Sequence, residues 1–91
     1  MGYSVYILRC SDGTLYTGSA ADVLHRLAVH QSGKGAKYTR SRLPVELVYR
    51  EAAESRSAAL RREAAIKKMS REKKLELIEG AREKRVRPDF Q

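Results

Sequence analysis

The sequence predicts an α+β fold: a small three-stranded sheet, mixed or antiparallel, flanked by helices in the order β-β-α-β-α-α. Three observations lead to it. Residues 3–18, YSVYILRCSDGTLYTG, form two β-prone apolar arms around Ser-Asp-Gly. Two later stretches place helix-starting residues ahead of apolar positions spaced three and four apart. Between them VELVYR, residues 45–50, returns to strand-forming side chains. The 91 residues suit one domain, assigned to 1–80, with the charged stretch 81–91 as a loose tail.

Residues 3–9 alternate and are rich in Tyr, Val and Ile, which predicts the first strand; residues 14–19 predict the second. Two loops fit between them. Asp12-Gly13 alone makes a two-residue turn, which pairs Arg9 with Tyr16 and sends Tyr6 and Tyr16 to opposite faces. Ser11-Asp12-Gly13 makes a three-residue loop with Gly13 in the left-handed region. That loop pairs Cys10 with Thr14, Leu8 with Tyr16 and Tyr6 with Gly18, and both tyrosines then share a face. Hydrophobicity does not choose between the registers, because both faces of the first strand are apolar. The three-residue loop is the preferred reading.

Asp22 caps a first helix over 23–32, with Val23, Leu24, Leu27 and Ala28 as its apolar side and Gly33 as its end. Residues 33–44, GKGAKYTRSRLP, read as a basic, punctuated loop. Pro44 then sits just ahead of the third strand, where no ladder donor is needed. Ser57 is the expected cap of a second helix running through Lys68. Ser70 restarts a third to about Ile78, and Gly80 is expected to stop it.

Charge narrows the function. Lys and Arg number 19 against 11 Asp and Glu, a net charge of +8. That excess suits a polyanion such as nucleic acid. A membrane surface fits poorly, since the basic residues border no strongly apolar stripe with Trp or Phe. A lone cysteine, Cys10, can form neither an internal disulfide nor a Cys-rich zinc site, and its strand position reads as core filler. MGYSVY is neither a signal peptide nor an acylation signal, so a cytoplasmic location is expected.

Several side chains do not suit a plain core or a plain surface. Arg26 and His30 are four apart on the first helix and share a face beside its buried stripe. Glu63 falls on the helical wheel between Leu60 on one side and Ala59 and Ile66 on the other. A carboxylate there needs a partner or a cation. Lys67, four residues on, is the simple partner; a metal ion is the other reading. Lys34, Lys37, Tyr38, Arg40 and Arg42 make a basic loop with one aromatic ring, suited to tracking phosphates and stacking a base.

In combination these residues resemble the GIY-YIG endonuclease superfamily, especially its small stand-alone bacterial branch. Ser4-Val5-Tyr6 stands where that family has Gly-Ile-Tyr, and Tyr16-Thr17-Gly18 where it has Tyr-Ile-Gly. Leu24-His25-Arg26-Leu27 with His30 matches the arginine helix. GKGAKYTR, LPVELVY and SAALRREAAIKK around Glu63 match the small branch. The resemblance spans about residues 3–78. An asparagine that some larger members use after the glutamate has no clear counterpart here, and their separate DNA-binding domains are missing from this chain.

The resemblance implies hydrolysis of DNA phosphodiesters around one groove. Glu63 would hold one Mg²⁺ or Mn²⁺, and Arg26 would bond the scissile phosphate. Tyr6 would position or deprotonate water, Tyr16 would support water or phosphate, and His30 would bond a tyrosine hydroxyl or take its proton. A phenol acts as a base only with a lowered pKa, expected here from Arg26, the metal and His30. Lys34, Lys37, Tyr38 and Arg40 would contact DNA, with single-stranded or branched DNA favoured over a long sequence-specific site. Neither a small-molecule cofactor nor a membrane partner is expected. The alternatives are a non-catalytic nucleic-acid-binding module and a nuclease subunit that needs a protein partner.

Overall fold

The structure, a computed structural model, describes residues 2–86. Its elements are β1 (Tyr3–Arg9), β2 (Leu15–Ala20), α1 (Val23–Gln31), α2 (Lys37–Arg40), β3 (Glu46–Ala53), α3 (Arg56–Lys67) and α4 (Arg71–Val86). The sheet is antiparallel throughout, with strand order β2-β1-β3. β1 is therefore central, and both its faces must be apolar. Tyr6, Leu8 and Cys10 join Ala20, Val23 and Val45 in one core; Val5 and Ile7 join Ala59, Ile66 and Ile78 in the other. Cys10 is buried filler, as its strand position suggested.

The hairpin has the three-residue loop. Gly13 has φ of +87°, and the Cys10 amide donates to the Thr14 carbonyl at 2.8 Å. Tyr6 accordingly pairs with Gly18 and Leu8 with Tyr16. The Asp12 carboxylate fastens the turn by accepting from the Thr14 amide and hydroxyl. β-Carbon geometry shows why residue 18 is glycine. A methyl there would lie 2.5 Å from the Tyr6 hydroxyl oxygen.

α1 begins where expected, with the Asp22 carboxylate accepting from the His25 amide, and it ends at Gly33 with φ of +83°. Its outer apolar positions differ from the sequence reading, for Leu24 is 63% exposed. The first turn faces solvent there because β2 and the core lie on the Val23 side. The segment read as plain loop contains α2, a single turn too short for periodicity to reveal. Gln31 ties the end of α1 to the start of β3, donating to the Val45 carbonyl and accepting from its amide.

Two further boundaries differ. Ser55, not Ser57, caps α3, accepting from the Ala58 amide. Both serines are plausible caps in sequence; β3 runs on to Ala53 and leaves Ser55 at the junction. The helix after Ser70 does not stop at Gly80 but continues to Val86. A helical glycine costs only about 1 kcal/mol, and the residues after it, AREKR, are good helix formers. Part of the stretch 81–91 read as a loose tail is therefore helical, and residues 87–91 lie outside the described residues. No described helix is long and apolar enough to cross a membrane.

Candidate active site

Tyr6 projects from the central strand and Tyr16 from the edge strand, onto one face of the sheet. His30, in the last turn of α1, reaches in above them and is 2% exposed. Its ring packs edge-on against both phenols, with centroids 6.1 Å from Tyr6 and 5.3 Å from Tyr16. The Tyr6 hydroxyl lies 3.1 Å from His30 Nε2. His30 Nδ1 lies 2.9 Å from the hydroxyl of Thr39 on α2, which in turn lies 2.9 Å from the Ala36 carbonyl. Thr39 is fully buried. The sequence reading missed it because nothing in KYTR marks a threonine that turns inward.

Burial sets the protonation of this pair. Tyr6 is pushed up to about 12, first by burial and then by Tyr16, with the nearby Arg26 guanidinium opposing. Arg26 and His30 alone therefore do not supply the expected lowering of the tyrosine pKa: removal from water outweighs the cation. His30 is held below the ordinary imidazole value, first by burial and then by the Arg26 charge. A neutral imidazole thus faces a protonated phenol.

Arg26 and His30 do share a face. With Tyr16, His25, Lys34 and Gly35 they line a hollow of about 400 Å³. A second hollow, of about 260 Å³, opens on the other side of Tyr16 and is lined by Leu15, Tyr38, Lys67 and Lys74 among others. Tyr16 stands between two basic hollows along the edge strand. Lys67 was read in the sequence only as a partner for Glu63 and Lys74 was not singled out, because lysines on a charged helix carry no mark of where the helix packs.

Glu63 approaches from the opposite side of the sheet. Its carboxylate accepts from the Ser19 hydroxyl at 2.7 Å and pairs with Lys67 at 2.9 Å. Its side chain is 17% exposed, and its charge acts on Tyr6 across the edge strand at Gly18. The helical-wheel reading placed it within the apolar arc; Leu60 is 47% exposed, so Glu63 instead sits on the margin of the buried stripe. Lys67 is the expected i+4 partner, and that bond raises its pKa.

The donor set fits a small hard cation. Among the described residues no group of three or more His, Cys, Asp or Glu side chains could enclose a metal. One carboxylate suffices for Mg²⁺, which keeps most of its waters and takes phosphate oxygens. Ser19 fixes one carboxylate oxygen, and the other is held only by a half-exposed lysine that can swing away.

Lys34, Lys37 and Arg40 are exposed on the connection between α1 and β3, and of these Lys34 lines the larger hollow. Tyr38 is already engaged. Its ring stacks against Tyr16 at 6.1 Å and an interplanar angle of 22°, and the Arg42 guanidinium sits 3.9 Å from its centroid. Arg42 is fastened in turn to Asp12 in the hairpin loop at 3.0 Å. Tyr38 in this arrangement buttresses Tyr16, and Arg42 is a clamp rather than a free phosphate ligand.

Comparison with known proteins places the chain among related sequences and structures. The family model of the GIY-YIG catalytic domain matches residues 2–76. A UPF0213 protein of Streptococcus agalactiae is 57% identical over 81% of this chain and 84% of its own length. One from Staphylococcus aureus is 58% identical over 81% of this chain and 90% of its own. Among solved structures, the solution NMR structure of a UPF0213 protein from Bacillus halodurans superposes with a TM-score of 0.56. It is 49% identical and covers 87% of this chain and 84% of that one.

Proposed function

The chain belongs to the GIY-YIG family, a nuclease family, and on that premise we propose that it is a metal-dependent DNA endonuclease acting on single-stranded or branched DNA. The observation that carries the reading is the Tyr6–His30 hydrogen bond beside a hollow that Arg26 lines. Cutting a phosphodiester needs an activated water, charge neutralisation at phosphorus and help for the leaving oxygen.

Arg26 bonds the scissile phosphate and counters its growing charge. Tyr6 takes a proton from the attacking water as it passes its own to His30 Nε2, so no free phenolate is needed. The hydroxide forms the new P–O bond, and the bonding pair of the broken P–O bond leaves on the 3′ oxygen. Tyr16 holds the phosphate against the Arg26 side of the hollow. Glu63, oriented by Ser19, would hold one Mg²⁺ or Mn²⁺ once its carboxylate is free of Lys67. When bound, that ion neutralises charge on the phosphoryl group and the departing oxygen. Lys34, Lys37 and Arg40 supply backbone contacts on one rim of the groove, with Tyr38 behind Tyr16. Contacts of this kind read strand structure rather than sequence.

The test is an assay of the purified protein on labelled single-stranded, duplex and branched DNA with Mg²⁺, Mn²⁺ or chelator, beside Glu63→Ala and Arg26→Ala. Metal-dependent cutting that is lost in both variants is the expected result. Salt-sensitive binding with no cutting on any substrate would replace the enzyme by a binding module or by a subunit awaiting its partner.

A further inference from the structure

We propose that Thr39 is a positioning residue for proton transfer: its hydroxyl fixes His30 as the tautomer whose Nε2 receives the Tyr6 proton. The inference rests on the reading of Tyr6 and His30 as the proton-transfer pair. It adds a residue outside every stretch read as catalytic in the sequence.

The direction of each hydrogen bond follows from one group with no choice. The Ala36 carbonyl can only accept, and Thr39 Oγ1 is 2.9 Å away, so the single hydroxyl proton of Thr39 points there. The oxygen then offers a lone pair to His30 Nδ1, also at 2.9 Å. Nδ1 must carry the proton. A neutral imidazole has only one, so Nε2 is left as an acceptor, 3.1 Å from the Tyr6 hydroxyl. The reverse arrangement sets the lone pairs of Thr39 against those of Ala36. It also leaves the Tyr6 proton without an acceptor, since His30 is the one side-chain acceptor bonded to that hydroxyl among the described residues, and the Arg26 guanidinium beside it can only donate.

Water cannot stand in at Nδ1, for His30 is 2% exposed and Thr39 is 0% exposed. Nor does the hydroxyl serve to hold α2. The Ala36 carbonyl already accepts the Thr39 and Arg40 amides at 3.1 and 3.2 Å, so the turn closes without it. The ring is held in place by other means: a methyl at Gly35 would come within 2.9 Å of His30 Cγ, so that backbone lies flat against the imidazole. Packing thus fixes where the ring sits, and Thr39 fixes which nitrogen is free. During transfer the proton leaves Tyr6 Oη for Nε2 as Tyr6 takes one from water. The imidazolium then has both N–H groups bonded, to Thr39 and to Tyr6.

The test uses the full chain labelled with ¹⁵N in histidine, with Thr39→Val and Thr39→Ser. Imidazole nitrogen shifts report the tautomer without reference to cutting. Expected are an Nδ1–H His30 in the wild type and in Thr39→Ser, and a move toward Nε2–H in Thr39→Val. On single-stranded DNA, Thr39→Val should lose about 10- to 100-fold in kcat with KM nearly unchanged, and Thr39→Ser should recover most of it. A wild-type protein that cuts DNA with an Nε2–H His30 overturns the role of Thr39 alone, as does a Thr39→Val protein of unchanged tautomer and kcat. A wild-type protein that cuts nothing with either metal overturns the catalytic reading beneath it, whatever the tautomer. Should Thr39→Val not fold, the wild-type tautomer and the Thr39→Ser rate still decide.

Discussion

His30 is neutral and Tyr6 protonated for the same reason, removal from water, and this gives their pH signatures opposite signs. The imidazole pKa is depressed by burial and by Arg26. A His30 that must accept a proton therefore stays competent below the ordinary imidazole range. The acid limb of a pH–rate profile should fall at a pH under about 6.5 and disappear in His30→Gln. Its stabilising contribution is present above the unfolded pKa and is lost as pH falls through the folded one. Tyr6 runs the other way. With its pKa raised to about 12, its contribution is complete below pH 10 and is lost as pH rises from 10 to 12. Those two units correspond to about 3 kcal/mol. Urea unfolding at about pH 9 and about pH 11.5 should show a larger loss in the wild type than in Tyr6→Phe, since Tyr49 and Lys67, also raised, lose stability in both. Glu63 gives a third test. Calorimetry should find Mn²⁺ binding lost in Glu63→Gln and tightened in Lys67→Met, because Lys67 competes for the carboxylate. Of these residues, Arg26 and His30 were singled out by their spacing and Glu63 by its place beside apolar neighbours. Thr39 was not, because its partner is nine positions away through a loop that no periodicity describes.

At the scale of elements, turn chemistry decided more than hydrophobicity did. The apolar pattern left the β1–β2 register open, and the glycine at 13 resolved it by taking a positive φ. That register brings Tyr6 and Tyr16 to one face, so a loop residue with no side chain sets the geometry of the site. The same reasoning failed at Gly80, where a glycine among charged residues was taken as a stop. A stopping glycine takes the left-handed conformation, and among the described glycines only Gly13 and Gly33 do. Gly80 is an ordinary helical position, and a Cβ there meets no atom within 4 Å. Gly80→Ala should therefore stabilise the protein by about 1 kcal/mol, read as a higher Tm, and leave DNA cutting unchanged. A fall in Tm would mean that the helix breaks at 80 after all. The caps show the same limit: Asp22 was read correctly, whereas Ser57 was read as the cap of α3 and Ser55, two residues nearer the end of β3, holds that place.

Across the whole molecule, the site straddles an edge strand. α1 brings Arg26 and His30 to one face of the sheet, and α3 brings Glu63 and Lys67 to the other. The Glu63 charge still contributes to raising the Tyr6 pKa, behind burial and Tyr16. A net charge of +8 says that a polyanion is welcome but not where it lies. The packing supplies that: Arg26 and Lys34 line the hollow on one side of Tyr16, and Lys67 and Lys74 the hollow on the other. A strand laid over Tyr16 would meet all four cations, and each phosphate they neutralise releases bound counterions. For single-stranded DNA the slope of log K against log salt is then about −3, measured with Glu63→Gln protein so that cutting does not intrude. Replacing Lys67 and Lys74 together by Gln removes two of the four contacts and should flatten the slope to about −1.4. Replacing Lys37 and Arg40, which line neither hollow, should change it less. If those two flatten the slope more than Lys67 and Lys74 do, the DNA runs along the α2 loop instead of across the edge strand.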